Sequence, residues 1–189
     1  VKSKFIEQEE AYDGAQLVSL RAYLKHGLLG DSIVAWVGAC NVATEHMVDG
    51  EDLIAGAEIR GAKMLHFIVE KFDCTLLAAV SLQRLLASIV KDELLEMAGD
   101  KGLAASLFRR GDDLYVGERK LSISIATQSP VSSLIHFAVN VTNQGTPVKT
   151  LSLEDLQVEP RSFAEQVLKA FCHEVETIRE ATMKVRWVK

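Results

Sequence analysis

Residues 112–126 constrain this chain more than any other stretch. They read as a short strand through Leu114, Tyr115 and Val116, a tight polar turn at Gly117-Glu118, and a second strand of alternating character. Side chains alternate across a strand, so Leu121, Ile123 and Ile125 form one face, directed at a core. Lys120, Ser122, Ser124 and Ala126 form the other, a lysine above hydroxyls and small groups. Such a face leaves room for a ligand, with the lysine placed to hold an anion or a polarised carbonyl. The same alternation also describes an antiparallel sheet with one face on the core and one in water.

The strand that follows sharpens the first alternative. Ile135, Phe137, Val139 and Val141 form its apolar face, and His136, Ala138 and Asn140 the other. Only residues 128–132 or so intervene, which predicts a hairpin. Pairing apolar face with apolar face gathers Lys120, Ser122, Ser124, His136 and Asn140 on one side. His136 would then serve as a general base, since imidazole titrates near neutrality. A histidine satisfied by a backbone carbonyl is the alternative.

The order Asp112-Asp113-Leu114, Arg119-Lys120, Ser122, Ser124-Ile125-Ala126, His136, Asn140 resembles the core of the biotin and lipoate protein ligases. Their catalytic domain is related in fold to the class II aminoacyl-tRNA synthetases. The resemblance implies that Lys120 contacts the carboxyl group of the acid and its adenylate, with Ser122, Ser124 and Ala126 lining the acyl pocket. It further implies ATP and magnesium as cofactors, a small carboxylic or acyl substrate, and an acyl carrier or target protein as partner. Upstream order agrees: a strand over 65–69, a long helix over 75–97, then residues 102–108 leading into the motif. This resemblance spans residues 60–145.

Tyr12-Asp13-Gly14, Glu45-His46-Met47-Val48-Asp49, the run from Met64 to Glu70, and Gln83-Arg84-Leu85-Leu86 resemble a prokaryotic domain-of-unknown-function family, number 366. That family is placed in the same superfamily, so the resemblance implies the fold and no activity. One departure from the ligases stands out. Lipoate ligases carry an Arg-Arg-x-Ser-Gly-Gly-Gly loop, and biotin ligases a Gly-Arg-Gly-Arg loop, before the strand matched by 65–69. Here the segment is 57–64, with only Gly56 and Gly61, and it lacks the run of amides that cradles phosphates. Ile123 also replaces a glycine of the lipoate ligase motif. These departures oppose ATP-dependent adenylation. They leave acyl transfer from an activated carrier, a non-catalytic module binding a small molecule or a protein, or a scaffold dimerising through a sheet edge.

A net charge of −5 argues against a nucleic-acid partner held by phosphate neutralisation. No run approaches the roughly 20 apolar residues of a membrane span, and the longest apolar helix is broken by Gln83 and Arg84. With no basic-then-apolar leader, the expectation is a cytoplasmic protein. The length suits a single domain over 1–189. Cys40, Cys74 and Cys172 are scattered and odd in number, which predicts small apolar fillers and no disulfide framework. Cys172 beside His173 keeps a reactive thiol open.

Further elements follow from periodicity: a first strand over 4–8, a helix over 15–26 with Leu17, Leu20 and Leu24 on one stripe and Gly27 as its stop, and a strand over 32–37. Asp73 or Thr75 would cap the 75–97 helix, with Gly99 as its end signal. Ser162-Phe163-Ala164-Glu165 is a capping-box sequence after Pro160, opening a helix with Phe163, Val167, Phe171, Val175 and Ile178 buried. The tail 184–189 would add an edge strand. Strands and helices segregate, which gives an α+β expectation: a mixed, mainly antiparallel sheet packed with helices.

Two further groups are candidates. Glu45, His46 and Asp49 lie close in sequence, and His66 and Glu70 share a strand face; together they suit a divalent metal, or they are surface and capping residues. No dedicated metal-ligand spacing is present. Arg21 would pair with an anion, or be solvated or core-bridging.

Overall fold

The computed structural model describes residues 1–188 and has the expected α+β architecture. Its strands are β1 (Lys2–Phe5), β2 (Ser32–Asn41), β3 (Arg60–Phe72), β4 (Phe108–Arg110), β5 (Asp113–Val116), β6 (Arg119–Lys120), β7 (Ser122–Gln128) and β8 (Ser132–Asn140). Its α-helices are α1 (Arg21–His26), α2 (Gly50–Ala55), α3 (Leu76–Met97), α4 (Lys101–Ala105) and α5 (Pro160–Met183). The main sheet has the order β1-β2-β3-β8-β7, antiparallel except for the β1–β2 pair, and β4-β5-β6 form a smaller antiparallel sheet.

One face of the main sheet presents Ile33, Leu65, Phe67, Ile135, Phe137 and Val139 to α3 and α5, which answer with Leu86, Val90, Leu94, Phe163, Val167 and Phe171. The other presents Val34, Trp36, Cys40, Met64, Ile68 and Ala138 to Tyr12 and Ala22. Strands β2, β3 and β8 are therefore buried on both faces, so the face of β8 that carries His136 and Asn140 is buried along with its expected apolar face. No described helix is long and apolar enough to cross a membrane.

Helix α3 starts as expected: the Thr75 hydroxyl accepts from the Ala78 amide at 3.2 Å. Helix α5 starts earlier than its capping box suggests. The Glu159 carboxylate accepts from the amides of Arg161 and Ser162, and Pro160 takes the first turn, where its missing N–H costs nothing. Phe163, Val167, Phe171 and Val175 are buried as expected, whereas Ile178 is exposed. The expected first strand lies at Lys2–Phe5. Residues 184–188 form no strand, and Lys189 of that expected strand lies outside the described residues.

The expected helix over 15–26 shrinks to α1. Leu20 adopts a left-handed φ of 64°, and its amide donates to both oxygens of buried Glu70, at 2.8 and 3.0 Å. That contact breaks the helix on its N-terminal side, Gly27 ends it at φ 71°, and Leu24 is left in solvent. The Ser132 hydroxyl also donates to Glu70, at 2.7 Å. Glu70→Ala strands both donors in the interior and is expected to cost about 3 kcal/mol. Urea unfolding at pH 7 measures it; a loss within experimental error of zero would show these donors find other acceptors.

Candidate functional site

The site forms where β6 gives way to β7. The Leu121 amide donates to the Leu114 carbonyl at 2.8 Å, and its carbonyl accepts from the Asn140 amide at 3.0 Å. Its side chain is buried in the helix-covered core. Ser122 turns toward that same core, with its Oγ accepting from the Leu114 amide at 3.0 Å. Two successive residues on one face reset the alternation, as in a bulge. Ile123 then pairs with Ala138 and Ile125 with His136, while Ser122 and Ser124 pair with Val139 and Phe137.

The expected serine-lined face is therefore inverted. A shift of one residue sends every side chain beyond it to the opposite face. Ser122 is a buried acceptor for the Leu114 amide and not a ligand contact. Ser124 sits at the rim, donating to Asp112 Oδ2 at 2.6 Å and accepting from Gln83 Nε2 at 2.8 Å.

A cavity of about 280 Å³ opens beside Lys120. Its sheet wall is Ile123, Ile125 and His136, with Tyr12 laid on His136; the β5–β6 hairpin and the residue before it supply Asp112, Asp113 and Lys120. The third wall is the segment between β2 and β3, a 3-10 turn at Thr44–His46 followed by α2, which brings His46, Met47, Asp49, Glu51 and Asp52. Lys120 Nζ lies 2.8 Å from Asp113 Oδ2, both half-buried. Burial pushes the Asp113 carboxyl pKa up, and the Lys120 ammonium opposes that rise.

The other expected residues divide. His136 lines the cavity with Lys120. Asn140 does not line it but positions it: its Nδ2 donates to the carbonyls of Lys120 and Leu151, both at 3.1 Å. Asn140→Ala is expected to cost about 2 kcal/mol, since the Leu151 carbonyl loses its donor and the Lys120 carbonyl keeps only the Leu151 amide. Chemical unfolding checks this, and an unchanged midpoint would refute the clamp. Arg21 is core-bridging, paired with Glu10 and lying over the Trp36 ring at 5.8 Å, away from the cavity.

His66 is fully buried behind His136. Its Nε2 lies 3.2 Å from the Gly38 carbonyl and its Nδ1 3.1 Å from His136 Nε2. Burial pushes the His66 pKa down to about 4 and holds that of His136 well below the ordinary imidazole value. Both rings are therefore neutral at pH 7, and the chain of contacts sets their tautomers. A carbonyl only accepts, so His66 carries its proton on Nε2; its bare Nδ1 then accepts from His136 Nε2–H. That leaves His136 Nδ1 unprotonated. It has no partner among the described residues, and it is not among the atoms sealed in the interior without one. Tyr12 stacks on the His136 ring at 3.8 Å, and burial pushes its phenol pKa up.

The expected carboxylate–imidazole metal group does not assemble: among the described residues no three His, Cys, Asp or Glu stand close enough to hold an ion. Glu70 holds Leu20 and Ser132, His66 faces His136, His46 Nδ1 meets the Asp13 carbonyl, and Asp49 caps α2. The three cysteines are free, Cys40 buried and the other two half-buried.

Sequence reasoning missed Tyr12, named only within one of the stretches that carry the family resemblance, and the carboxylates Asp52, Asp112 and Asp113 as cavity walls. The adjacent aspartates opening the hairpin motif were the available signal. A family model described as a domain of unknown function, DUF366, matches residues 1–186. The chain belongs to this family.

An uncharacterized protein of Methanocaldococcus jannaschii is 33% identical to this DUF366 member over 160 residues, 82% of this chain and 70% of the other. A solved protein of unknown function from Pyrococcus horikoshi is 43% identical, with a TM-score of 0.90 and all of both chains covered. The biotin protein ligase from Aquifex aeolicus, solved in complex with biotin and ATP, superposes at a TM-score of 0.58 and 13% identity, over 95% of this chain and 72% of that one. The fold is thus that of the biotin and lipoate protein ligase catalytic domains.

The segment 57–64, where a glycine-rich loop was sought, runs directly into β3, and the acidic helix α2 of this DUF366 chain stands just before it. The side chain of Asp49 already takes the first free amides of that helix, those of Glu51 and Asp52. With Asp49, Glu51 and Asp52 on that wall, the residues present do not fit a triphosphate.

Proposed function

We propose that the Lys120–His136 cavity is the site of a nucleotide-independent acyl transfer, acting on a small acyl group delivered already activated by a carrier. One observation supports this above the rest: an ammonium group and an unprotonated imidazole nitrogen face the same cavity. Lys120 Nζ donates to the acyl carbonyl oxygen and stabilises the negative charge that grows there as the nucleophile attacks. His136 Nδ1 takes the proton of the nucleophile as its bond to the acyl carbon forms. The bond from that carbon to the thiol leaving group breaks, and the proton passes from His136 to the departing sulfur. Asp113 and the Asn140 clamp hold Lys120 in place between turnovers.

The test is transfer from acetyl- and octanoyl-pantetheine thioesters to hydroxylamine, followed as free thiol. Wild type is expected to turn over, and Lys120→Ala to lose about 100-fold or more in kcat. Turnover untouched by Lys120→Ala refutes the reading. Saturable thioester binding without turnover, lost in Lys120→Ala, points to the second reading, a non-catalytic binding module, which the existing Lys120–Asp113 ion pair favours.

A further inference from the structure

We infer that Met47 sets how long an acyl chain this site admits. The inference rests on the reading of the Lys120–His136 cavity as an acyl site and names its specificity residue. A second cavity, of about 350 Å³, lies between the ends of β2 and α2 and the start of β3. Neither Lys120 nor His136 is in its walls. Among the described residues four line both cavities: Val42, Met47, Asp52 and Ile59. They form the partition between a chamber that holds the reacting groups and one that holds neither of them.

The four are not alike. Val42 and Ile59 continue the β2–β3 ladder, with the Val42 amide donating to the Ile59 carbonyl at 2.9 Å. Both are β-branched and stiff at χ1, and both pack on the core cluster around Tyr12 and Trp36. Asp52 is a carboxylate, which an apolar chain passes only by stripping its water. Met47 alone of the four is apolar, flexible and outside both core clusters.

Its backbone is held: Met47 ends the 3-10 turn Thr44–His46, and its amide donates to the Thr44 carbonyl at 3.2 Å. Its side chain is half-buried, although no residue of that turn or of α2 is buried. A third hollow, beside Gly14 and Leu17, is also lined by Met47, which among the described residues is the one common to all three. An apolar side chain set among hollows and packed into neither core gives shape to the cavities and little to the fold. With Met47 in place the Lys120 chamber ends at about 280 Å³, room for a short acyl group and the end of its carrier. Without that side chain the two chambers join beside Val42 and Ile59, and a longer tail has space to enter.

The test is kcat/KM for pantetheine thioesters from acetyl to decanoyl, read together with calorimetric binding of the matching free acids, which requires no turnover. Wild type is expected to favour butanoyl over decanoyl by at least about 10-fold, since even one methylene that a pocket cannot seat costs that much. Met47→Ala is expected to move the decanoyl-to-butanoyl ratio at least about 10-fold toward the longer chain, in turnover and in acid binding alike. Met47→Leu, close in volume, is expected to keep the wild-type profile. Ile54→Ala lies on the same segment but in solvent, lining neither chamber. It is expected to keep the wild-type profile too, which separates a removed stop from a loosened segment. A wild type indifferent to length, or a Met47→Ala profile that matches wild type, overturns the stop. Thioester turnover that persists in that case shows that the acyl reading has not failed with it. Longer acids gaining affinity in Met47→Ala, with no thioester turnover in any variant, uphold the stop and refute the transfer. The absence of both binding and turnover overturns both.

Discussion

Acidification from pH 7 to pH 4 is expected to remove about 3 kcal/mol of stability through His66 alone. Its folded pKa is lowered to about 4, against about 6.5 in an unfolded chain. Above pH 6.5 the ring is neutral in both states and contributes no pH dependence. Between 6.5 and 4 the unfolded chain takes up a proton that the folded chain refuses, so stability falls as pH falls. Below 4 both states are protonated and the full loss is in place. His136 acts in the same direction, and the two rings share a contact, so their losses are not additive. The measurement is urea unfolding at intervals from pH 7.5 to 4, for wild type and His66→Gln. Glutamine retains an amide donor and a carbonyl acceptor, so the difference between the two profiles isolates the imidazole. Parallel profiles would refute a neutral buried pair.

Gly38→Ala is expected to cost at least about 3 kcal/mol and to empty the site at the same time. A Cβ at Gly38 would stand 1.8 Å from the Glu10 carbonyl oxygen and 2.7 Å from its carbon. Both are backbone atoms, which no rotamer change relieves. Glu10 cannot retreat freely, because its carbonyl accepts from Trp36 Nε1 at 2.8 Å and the nearby Tyr12 amide donates to Ala39 at 2.8 Å. Relief has to displace the segment that lays Tyr12 on His136, or the carbonyl that sets the His66 tautomer. Gly61→Ala is the control: its Cβ meets the Met64 side chain at 3.1–3.2 Å, a thioether that swings aside. Wild-type stability in Gly38→Ala, read by chemical unfolding, would contradict this account.

The strands over 32–37 and 65–69, Thr75 as a cap and most of the buried stripe of α5 were legible because each is a local pattern answered by burial. The meeting of Lys120 with His136 was legible as a convergence, though by the wrong route. Alternation fails at Leu121-Ser122, where long-range contacts to Leu114 and Asn140 turn both side chains inward. No window of sequence around that pair contains Asn140. The His66–His136 contact is equally remote, made by the β3–β8 register across 70 positions. The missing glycine loop was visible, but its acidic replacement has meaning only once α2 is seen to face Lys120.

The parallel strand β1 also has a temporal side. Val1 and Phe5 pack on the helix-covered core, Arg161 of α5 lies over the Phe5 ring, and the same guanidinium pairs with Glu7 at 2.6 Å. A ribosome releases residues 1–7 long before residue 161. The opening strand must therefore wait, its apolar side uncovered, until the last helix emerges to close over it. Nascent chains halted before α5 should present this edge to chaperones, and shortening the chain by its first few residues should loosen its far end.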